Sequence, residues 1–290
     1  MSPTVESDPV IDQFKDQGYV ILRGFLEREV IDSARAEVET LADGTARNLL
    51  DAGKITDVCE NEPFETRLTK VFAQCPDDPP STYRPELHLA GIYGLFFHPA
   101  LLDLAERILG PEVRLYPNYS VRPKLPDNEA TLVLWHQDAG YTASGKHDKD
   151  DDEPEQDAET LRMCNVWTPL VPATAENGCM QFVPGTHKLG LVPHLNKKYY
   201  LEIEGDVLQP RLPEAVNVEM IPGDVVFFSN LLFHCGLPNH SGGIRWSCDW
   251  RYQDATQSTA RQEKGHIARS RKDPGAAVHS AEEWTRLHFS

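Results

Sequence analysis

The sequence predicts an α+β protein in which a helical N-terminal layer packs against a C-terminal β core. Up to about residue 112, apolar residues recur at the three- and four-residue spacing of amphipathic helices. From Val113 onward, short runs of β-branched and aromatic residues alternate with turn residues, which is typical of an antiparallel barrel or sandwich. Because no linker composition separates the two parts, we expect one domain over residues 1–290, with the core at about 113–255 and a tail at 256–290.

The individual elements are predicted from this spacing and from the residues that interrupt it. A first short helix is expected to stop at Gly18, with a strand directly after it. Proline and acidic residues crowd the stretch 43–87, which predicts mixed helix and loop. The predicted helices are residues 10–17, 27–42 and 99–109, and the predicted strands are residues 19–22, 114–121, 131–136, 163–169, 180–183, 216–220, 224–229 and 245–252.

Composition excludes several classes of protein. The chain has 45 acidic and 28 basic residues, a net charge of −17, so we expect no nucleic-acid or membrane partner, since both need a basic face. The N-terminus lacks the features of a signal peptide and no run of about 18 apolar residues occurs, which predicts a cytoplasmic protein with reduced cysteines. The oligomeric state is left open. A chain of this length folds without metal, so a metal site would need a chemical reason.

The tripeptide His136-Gln137-Asp138 is the first candidate for such a site. It follows the apolar run 132–135, and residues i and i+2 of an extended strand project to one face. His136 and Asp138 could therefore offer an imidazole and a carboxylate to one cation. Such tripeptides also occur by chance, so this pattern alone is weak.

A second histidine strengthens the prediction. A second apolar strand, residues 223–229, leads through residues 230–233 to His234. Two histidines and one carboxylate on adjacent strands form the facial triad that suits non-haem Fe(II) and leaves coordination positions open. The alternative for His234 taken alone is a core histidine with a satisfied hydrogen bond. Zinc more often takes a closed tetrahedron or the H-E-x-x-H spacing.

Arg245 lies eleven residues beyond His234 and opens a predicted strand. A guanidinium close to the metal is what a dicarboxylic co-substrate needs, because one end chelates iron and the far carboxylate meets the guanidinium fork. The alternative is an ion pair with a surface acid, which is common in so acidic a protein.

Four ordered motifs resemble the phytanoyl-CoA dioxygenase family of Fe(II)/2-oxoglutarate oxygenases. They cover most of the chain: residues 14–25 (FKDQGYVILRGF), residues 136–138 (HQD), residues 177–188 (NGCMQFVPGTHK), and residues 222–245, from the Pro-Gly-Asp turn through His234 to Arg245.

The resemblance implies a double-stranded β-helix (jelly-roll) core, with Fe(II) held by His136, Asp138 and His234 and 2-oxoglutarate anchored by Arg245. It also implies O2 as the oxidant and Trp167 as an aromatic residue near the co-substrate, for which plain barrel packing is the alternative. One departure is Gly236, where the family often has a Ser or Thr hydroxyl that helps to hold the co-substrate. The family's segment around His187 is a structural turn, so His187 is not expected to bind metal.

The sequence therefore predicts a dioxygenase that hydroxylates or otherwise oxidises a C–H bond of a small molecule, releasing succinate and CO2. Asp138 disfavours a halogenase, because its carboxylate occupies the position that chloride would need. The alternatives are a non-catalytic jelly-roll binding protein, which would be expected to lose a ligand or the arginine, and a zinc hydrolase, for which no general base is evident.

Eight acids crowd residues 148–159, between the metal-binding tripeptide and the next predicted strand. One hypothesis is a solvated loop without a role. The other is a lid whose charge favours neutral or cationic substrates over polyanionic ones, with Tyr141 lining the pocket below it.

Overall fold

Helices form an apolar layer in the N-terminal part of the chain. The structure, a computed structural model, describes residues 8–78, 80, 82–144, 158–197 and 200–289. Buried residues such as Val38 and Leu101 join one large hydrophobic cluster. The helices of this part are Pro9–Gln17 (α1), Arg28–Asp51 (α2), Phe64–Ala73 (α3), Ala90–Phe96 (α4) and Pro99–Leu109 (α5).

Three shorter helices come later in the described part of the chain, and none of the described helices is long and apolar enough to cross a bilayer. Ser280 caps the last of them by accepting a hydrogen bond from the Glu283 amide, and its Trp284 is fully buried in the helical layer. These helices are Asp138–Ser144 (α6), Gly205–Leu208 (α7) and Ala281–Trp284 (α8).

The β core consists of antiparallel strands in two main sheets. The larger sheet contains Tyr19–Leu22 (β1), Glu112–Leu115 (β2), Ser120–Lys124 (β3), Met163–Pro169 (β5), Val225–Ser229 (β10), Arg245–Asp254 (β12) and His266–Ser270 (β13). The smaller sheet contains Val133–His136 (β4), Met180–Val183 (β6), Val216–Val218 (β9) and Phe233–Gly236 (β11). His194–Asn196 (β7) and Leu201–Ile203 (β8) form a separate hairpin.

The strand orders are β1-β10-β5-β12-β2-β13, with β3 beside β12, and β4-β11-β6-β9. Residues from both sheets line one cavity of about 380 Å³, which therefore lies between the sheets. The α+β prediction with a double-stranded β-helix core is confirmed by this arrangement.

Strand β12 separates the cavity from the helical layer. Its residues at 246, 248, 250 and 252 are apolar or aromatic and belong to the main hydrophobic cluster. Trp246 stacks on Phe64 of α3 with ring centroids 4.8 Å apart, and the Tyr252 hydroxyl donates to the Phe96 carbonyl of α4. Since successive side chains of a strand point to opposite faces, the polar residues at 245, 247, 249 and 251 line the cavity.

The structure differs from the predicted elements at several places. The strand expected at 114–121 is two strands, because the chain turns at Tyr116, whose carbonyl accepts from the Asn118 amide. Helix α2 runs to Asp51 rather than to residue 42, since Ala42 and Ala46 continue its buried stripe. The sheet also extends beyond the expected boundary at residue 255, because β13 pairs with β2.

Candidate active site

His136 and His234 meet across paired strands of the smaller sheet. They are direct partners in the antiparallel register of β4 and β11, and their ring centroids are 4.1 Å apart. Asp138 does not continue the strand as the sequence suggested, because β4 ends at His136 and Asp138 begins α6. The turn still places Asp138 Oδ1 3.5 Å from His136 Nε2. The three side chains are therefore brought together as predicted, although by a different local structure.

Backbone carbonyls orient both imidazoles. Nδ1 of His136 lies 2.7 Å from the Leu134 carbonyl oxygen, and Nδ1 of His234 lies 2.9 Å from that of Leu232. Each Nδ1 therefore carries the proton and donates it, which leaves each Nε2 with a bare lone pair. A carbonyl partner on the far nitrogen is the usual way in which proteins fix the tautomer of a metal-binding histidine.

The electrostatics of the site favour a neutral His234 and an ionised Asp138. Burial and the neighbouring His136 lower the pKa of His234 to about 3. Burial by itself would raise the pKa of Asp138, but Arg251 and the two histidines outweigh it and hold that pKa well below its usual range. At neutral pH His234 thus presents a neutral nitrogen and Asp138 an anionic oxygen.

This donor set fits a divalent iron. The candidate ligand atoms of His136, Asp138 and His234 all lie within 4.8 Å of one another, and all three residues are buried. Among the described residues no fourth histidine, cysteine or acid joins the group. Two imidazoles and one carboxylate on one side of a cation are the ligands of the facial triad, which leaves the other positions to co-substrates.

Arg251 holds the carboxylate of Asp138 through the oxygen Oδ2. Its Nη2 donates to Asp138 Oδ2 at 2.9 Å, and its Nη1 donates to the Asn118 carbonyl and to Asp249 Oδ1. One carboxylate oxygen is thereby occupied, and Oδ1 is turned toward the histidines. Arg251 is a positioning residue that the sequence analysis did not identify.

Arg251→Gln is expected to weaken Fe(II) binding by about 10- to 100-fold, the usual cost of removing a group that orients a metal ligand. Fe(II) affinity measured anaerobically by calorimetry checks this. Arg162→Gln is the matched control, because Arg162 pairs with Asp254, the last residue of β12, and does not line the cavity. Equal Fe(II) affinities for the two variants would contradict the role of Arg251.

Arg245 lies at the opposite end of the cavity-facing row on β12. It is 5% exposed, its Nε donates to the Gly178 carbonyl at 3.2 Å, and its Nη1 donates to the Ser247 hydroxyl. Burial lowers its pKa to about 10, and it remains cationic at neutral pH. No described carboxylate forms an ion pair with it, although its alternative role was a partner for a surface acid. A buried guanidinium without an acid is suited to an anionic ligand.

The hydroxyl that Gly236 cannot supply is present on Ser247. Ser247 lines the cavity two residues from Arg245, on the same face of β12. The space beside Gly236 is instead taken by Lys124, whose Nζ would lie 3.4 Å from a Cβ at position 236. Lys124 Nζ donates to the carbonyls of Thr131 and Gly236. A side chain at position 236 would therefore lie in van der Waals contact with this lysine.

Lys124 makes the stability of the unliganded protein depend on pH. Burial and nearby Arg245 lower its pKa to about 7, whereas the unfolded chain keeps the usual value near 10.5. Between these values the unfolded state binds more protons, so stability rises with pH, by about 1 kcal/mol from pH 7 to pH 8. We expect Lys124→Met to remove this rise. Urea unfolding of both proteins at the two pH values measures it, and identical pH slopes would contradict it.

The other predicted site residues are placed as follows. Trp167 lines the cavity, with its ring 5.5 Å from the Arg245 guanidinium, a cation–π geometry that plain packing does not require. Tyr141 also lines the cavity, edge-on to His136, and its hydroxyl accepts from the Leu201 amide.

His187 is not in the metal group, since its Nε2 donates to the Lys15 carbonyl in the last turn of α1. Residues 148–157, most of the acidic stretch, lie outside the described residues.

The cavity contains charged residues that the sequence analysis missed. Asp249 accepts hydrogen bonds from Ser120, Arg122 and Arg251. The regular alternation of polar and apolar residues along β12 was a signal that could have revealed Asp249 and Arg251. No such signal exists for cavity residues that come from turns and loops, such as Arg84, Asn118 and Arg261.

Comparisons with known proteins agree with this geometry. A family model described as phytanoyl-CoA dioxygenase matches residues 14–247. A probable phytanoyl-CoA dioxygenase of Caenorhabditis elegans is 25% identical over 287 residues, covering 89% of this chain and 82% of that protein. The 1-deoxypentalenic acid 11-beta-hydroxylase of Streptomyces arenae is 27% identical over 272 residues, covering 88% and 84%.

Solved structures share the fold. EctD from S. alaskensis, crystallised with 2-oxoglutarate and 5-hydroxyectoine, superposes with a TM-score of 0.63 at 16% identity, covering 97% of this chain and 86% of that one. At this identity the likeness concerns the fold alone, and it extends over nearly the whole chain.

Proposed function

Because the chain belongs to the phytanoyl-CoA dioxygenase family of Fe(II)- and 2-oxoglutarate-dependent oxygenases, we propose that His136, Asp138 and His234 hold its iron. The chain is a dioxygenase that oxidises a small molecule, with O2 as the oxidant and succinate and CO2 as products of the co-substrate. The observation that carries the site assignment is the buried group of three ligand atoms within 4.8 Å of one another.

Each side chain has a distinct task in this proposal. The two Nε2 atoms and Asp138 Oδ1 hold Fe(II), which supplies the activation of O2 when bound, together with 2-oxoglutarate. The backbone carbonyls of Leu134 and Leu232 keep the imidazoles in the ligand tautomer. Arg251 keeps Asp138 ionised and oriented.

At the other end of the cavity, Arg245 binds the distal carboxylate of 2-oxoglutarate through its guanidinium fork. Ser247, already in contact with this guanidinium, supplies the hydroxyl that Gly236 lacks. Trp167 holds the guanidinium in place from its ring face. Burial of Arg245 and of the three metal-binding residues excludes water, which strengthens each of these electrostatic contacts.

The non-catalytic alternative is disfavoured, because a degenerate relative would be expected to lose a ligand or the anchoring arginine, and all four residues are present. The test incubates the Fe(II)-loaded protein with 2-oxoglutarate, O2 and a metabolite library. Succinate formation coupled to a substrate mass increase of roughly sixteen daltons, one oxygen atom, is expected. Absence of succinate with every library member, despite bound iron and 2-oxoglutarate, would favour the non-catalytic alternative.

A further inference from the structure

The cavity wall carries an excess of positive charge. Among the described lining residues there are five arginines but only two carboxylates, Asp138 and Asp249. Arg245 lies at the proposed co-substrate end. The charges of the other three lining arginines act on the pKa of Arg84. These four residues are called the arginine cluster here: Arg84, Arg122, Arg251 and Arg261.

The fold positions the cluster firmly. Arg122 lies on β3, directly opposite Ser247 of β12; it lines the cavity, and 33% of its side chain is exposed. Arg84 comes from a loop, but Tyr83 before it forms a two-hydrogen-bond bridge with Val121 of β3. The bridge brings Arg84 to the cavity beside Arg122. The sheet therefore fixes the backbone positions from which two of the four arginines reach the cavity.

The carboxylates of the cavity do not neutralise this cluster. Asp249 is shared between Arg122 and Arg251, and Asp138 is held by Arg251 while its other oxygen faces the histidines. Arg84 contacts the Asn118 side-chain oxygen at 3.4 Å. Within the described chain, neither Arg84 nor Arg261 has a carboxylate at ion-pair distance.

Such an arrangement costs free energy in the absence of a ligand. Burial, with Arg122 nearby, lowers the pKa of Arg84 to about 10, which shows that its charge is poorly solvated. Arg84 and Arg261 are partly buried, and a partly buried charge without a carboxylate partner loses hydration without compensation. The iron and 2-oxoglutarate do not remove the excess, since Fe(II) adds two positive charges and 2-oxoglutarate brings two negative ones.

We propose that the arginine cluster binds an anionic group of the substrate, and that the substrate is a small organic anion with a carboxylate or phosphonate group. The proposal rests on the proposed function and specifies the substrate class of that same cavity. A guanidinium fork matches the paired oxygens of either group. Arg84 and Arg261 are best able to bind the anionic group, because Arg251 already contacts Asn118, Asp138 and Asp249.

This substrate class differs from the neutral or cationic one that the acidic stretch favoured. Charges on the cavity wall act at contact distance, whereas those of a solvated segment are screened over about 8 Å at physiological ionic strength. Besides Trp167 at the Arg245 end, the cavity wall has apolar side chains from Val133, Met180 and Phe228. An anion with a short hydrocarbon body therefore matches both parts of the wall.

The test uses matched probes that differ only in charge. The full-length protein, anaerobic and loaded with Fe(II), is first titrated with 2-oxoglutarate by calorimetry and then, saturated, with octanoate, octylphosphonate or octanamide. Saturation with 2-oxoglutarate prevents the probes from occupying the Arg245 end. Failure to bind 2-oxoglutarate in the first titration would concern the proposed function and not the substrate class.

We expect octanoate or octylphosphonate to bind at least tenfold more tightly than octanamide, and the stronger of the two identifies the preferred anion. Arg84→Gln and Arg261→Gln should each lower anion affinity by about 10- to 100-fold, the worth of a charged hydrogen bond, without changing octanamide binding. Arg211→Gln, on the surface near Glu214, is the control. Equal affinities for the anions and octanamide, or unchanged anion affinity in both cavity variants, would overturn the proposal.

Discussion

Replacement of His234 by alanine is expected to abolish turnover of 2-oxoglutarate. The change removes one of three ligand atoms from a site whose remaining nitrogen and oxygen cannot hold iron alone on one face. The loss should exceed the 10- to 100-fold that follows removal of a residue that merely orients a ligand. Succinate formation and iron content after anaerobic loading are the measurements, and both should fall together.

The fold should survive this change, because a chain of 290 residues does not depend on a metal for its core. Circular dichroism and the thermal midpoint of the unloaded variant check this. His240→Ala is the matched control, since His240 is exposed and pairs with Asp127. Full succinate formation by His234→Ala, or equal loss in His240→Ala, would exclude His234 as a ligand.

Replacement of Arg245 by glutamine is expected to raise the dissociation constant for 2-oxoglutarate by about 10² to 10⁴-fold. Breaking one side of a buried charged pair costs about 3–5 kcal/mol, and 1.4 kcal/mol corresponds to a factor of ten. Arg245→Lys should also weaken binding, because an ammonium group cannot reproduce the fork. Calorimetric titration of the Fe(II)-loaded proteins measures all three affinities.

Pyruvate provides an internal control for this second prediction. It has the keto acid end that approaches the metal but lacks the distal carboxylate, so its weak binding should be the same in the parent and in Arg245→Gln. An equal loss of pyruvate affinity would show that the variant damages the metal end. An unchanged affinity for 2-oxoglutarate would remove Arg245 from the proposed site.

Local signals in the sequence predicted much of the fold. Gly18, with φ of 80°, ends α1 where its position suggested, and the fully buried strand β5 has the predicted bounds. Helix α5 is likewise bounded as predicted, because Pro99 begins it and Gly110 follows it. Helix and strand propensity and turn residues therefore suffice to predict an element whose local sequence favours the structure that it adopts.

Elements that depend on distant partners were not predictable in this way. β11 was not predicted, because the expected strand ended at residue 229, although its partners β4 and β6 define it as a separate strand. β13 lies in the expected tail and exists because the edge of β2 is available to it. Such pairings are set by tertiary contacts, on which a single sequence carries little information.

In the candidate site, too, local signals were predictable from the sequence and distant contacts were not. His136, Asp138 and His234 follow apolar runs, which predicted their convergence even though Asp138 turned out to begin a helix. The charge of the cavity was not predictable, because Arg84 and Arg261 come from loops more than 170 residues apart along the chain. The acidic composition of the whole chain gave no indication of a cationic cavity.

Anomalous diffraction at the iron edge, from crystals grown anaerobically with Fe(II) and 2-oxoglutarate, tests the proposed centre most directly. One iron peak is predicted among His136 Nε2, Asp138 Oδ1 and His234 Nε2, with the distal carboxylate of 2-oxoglutarate on the Arg245 guanidinium. An iron peak elsewhere in the molecule, or a 2-oxoglutarate bound away from Arg245, would contradict the assignment of this cavity as the active site.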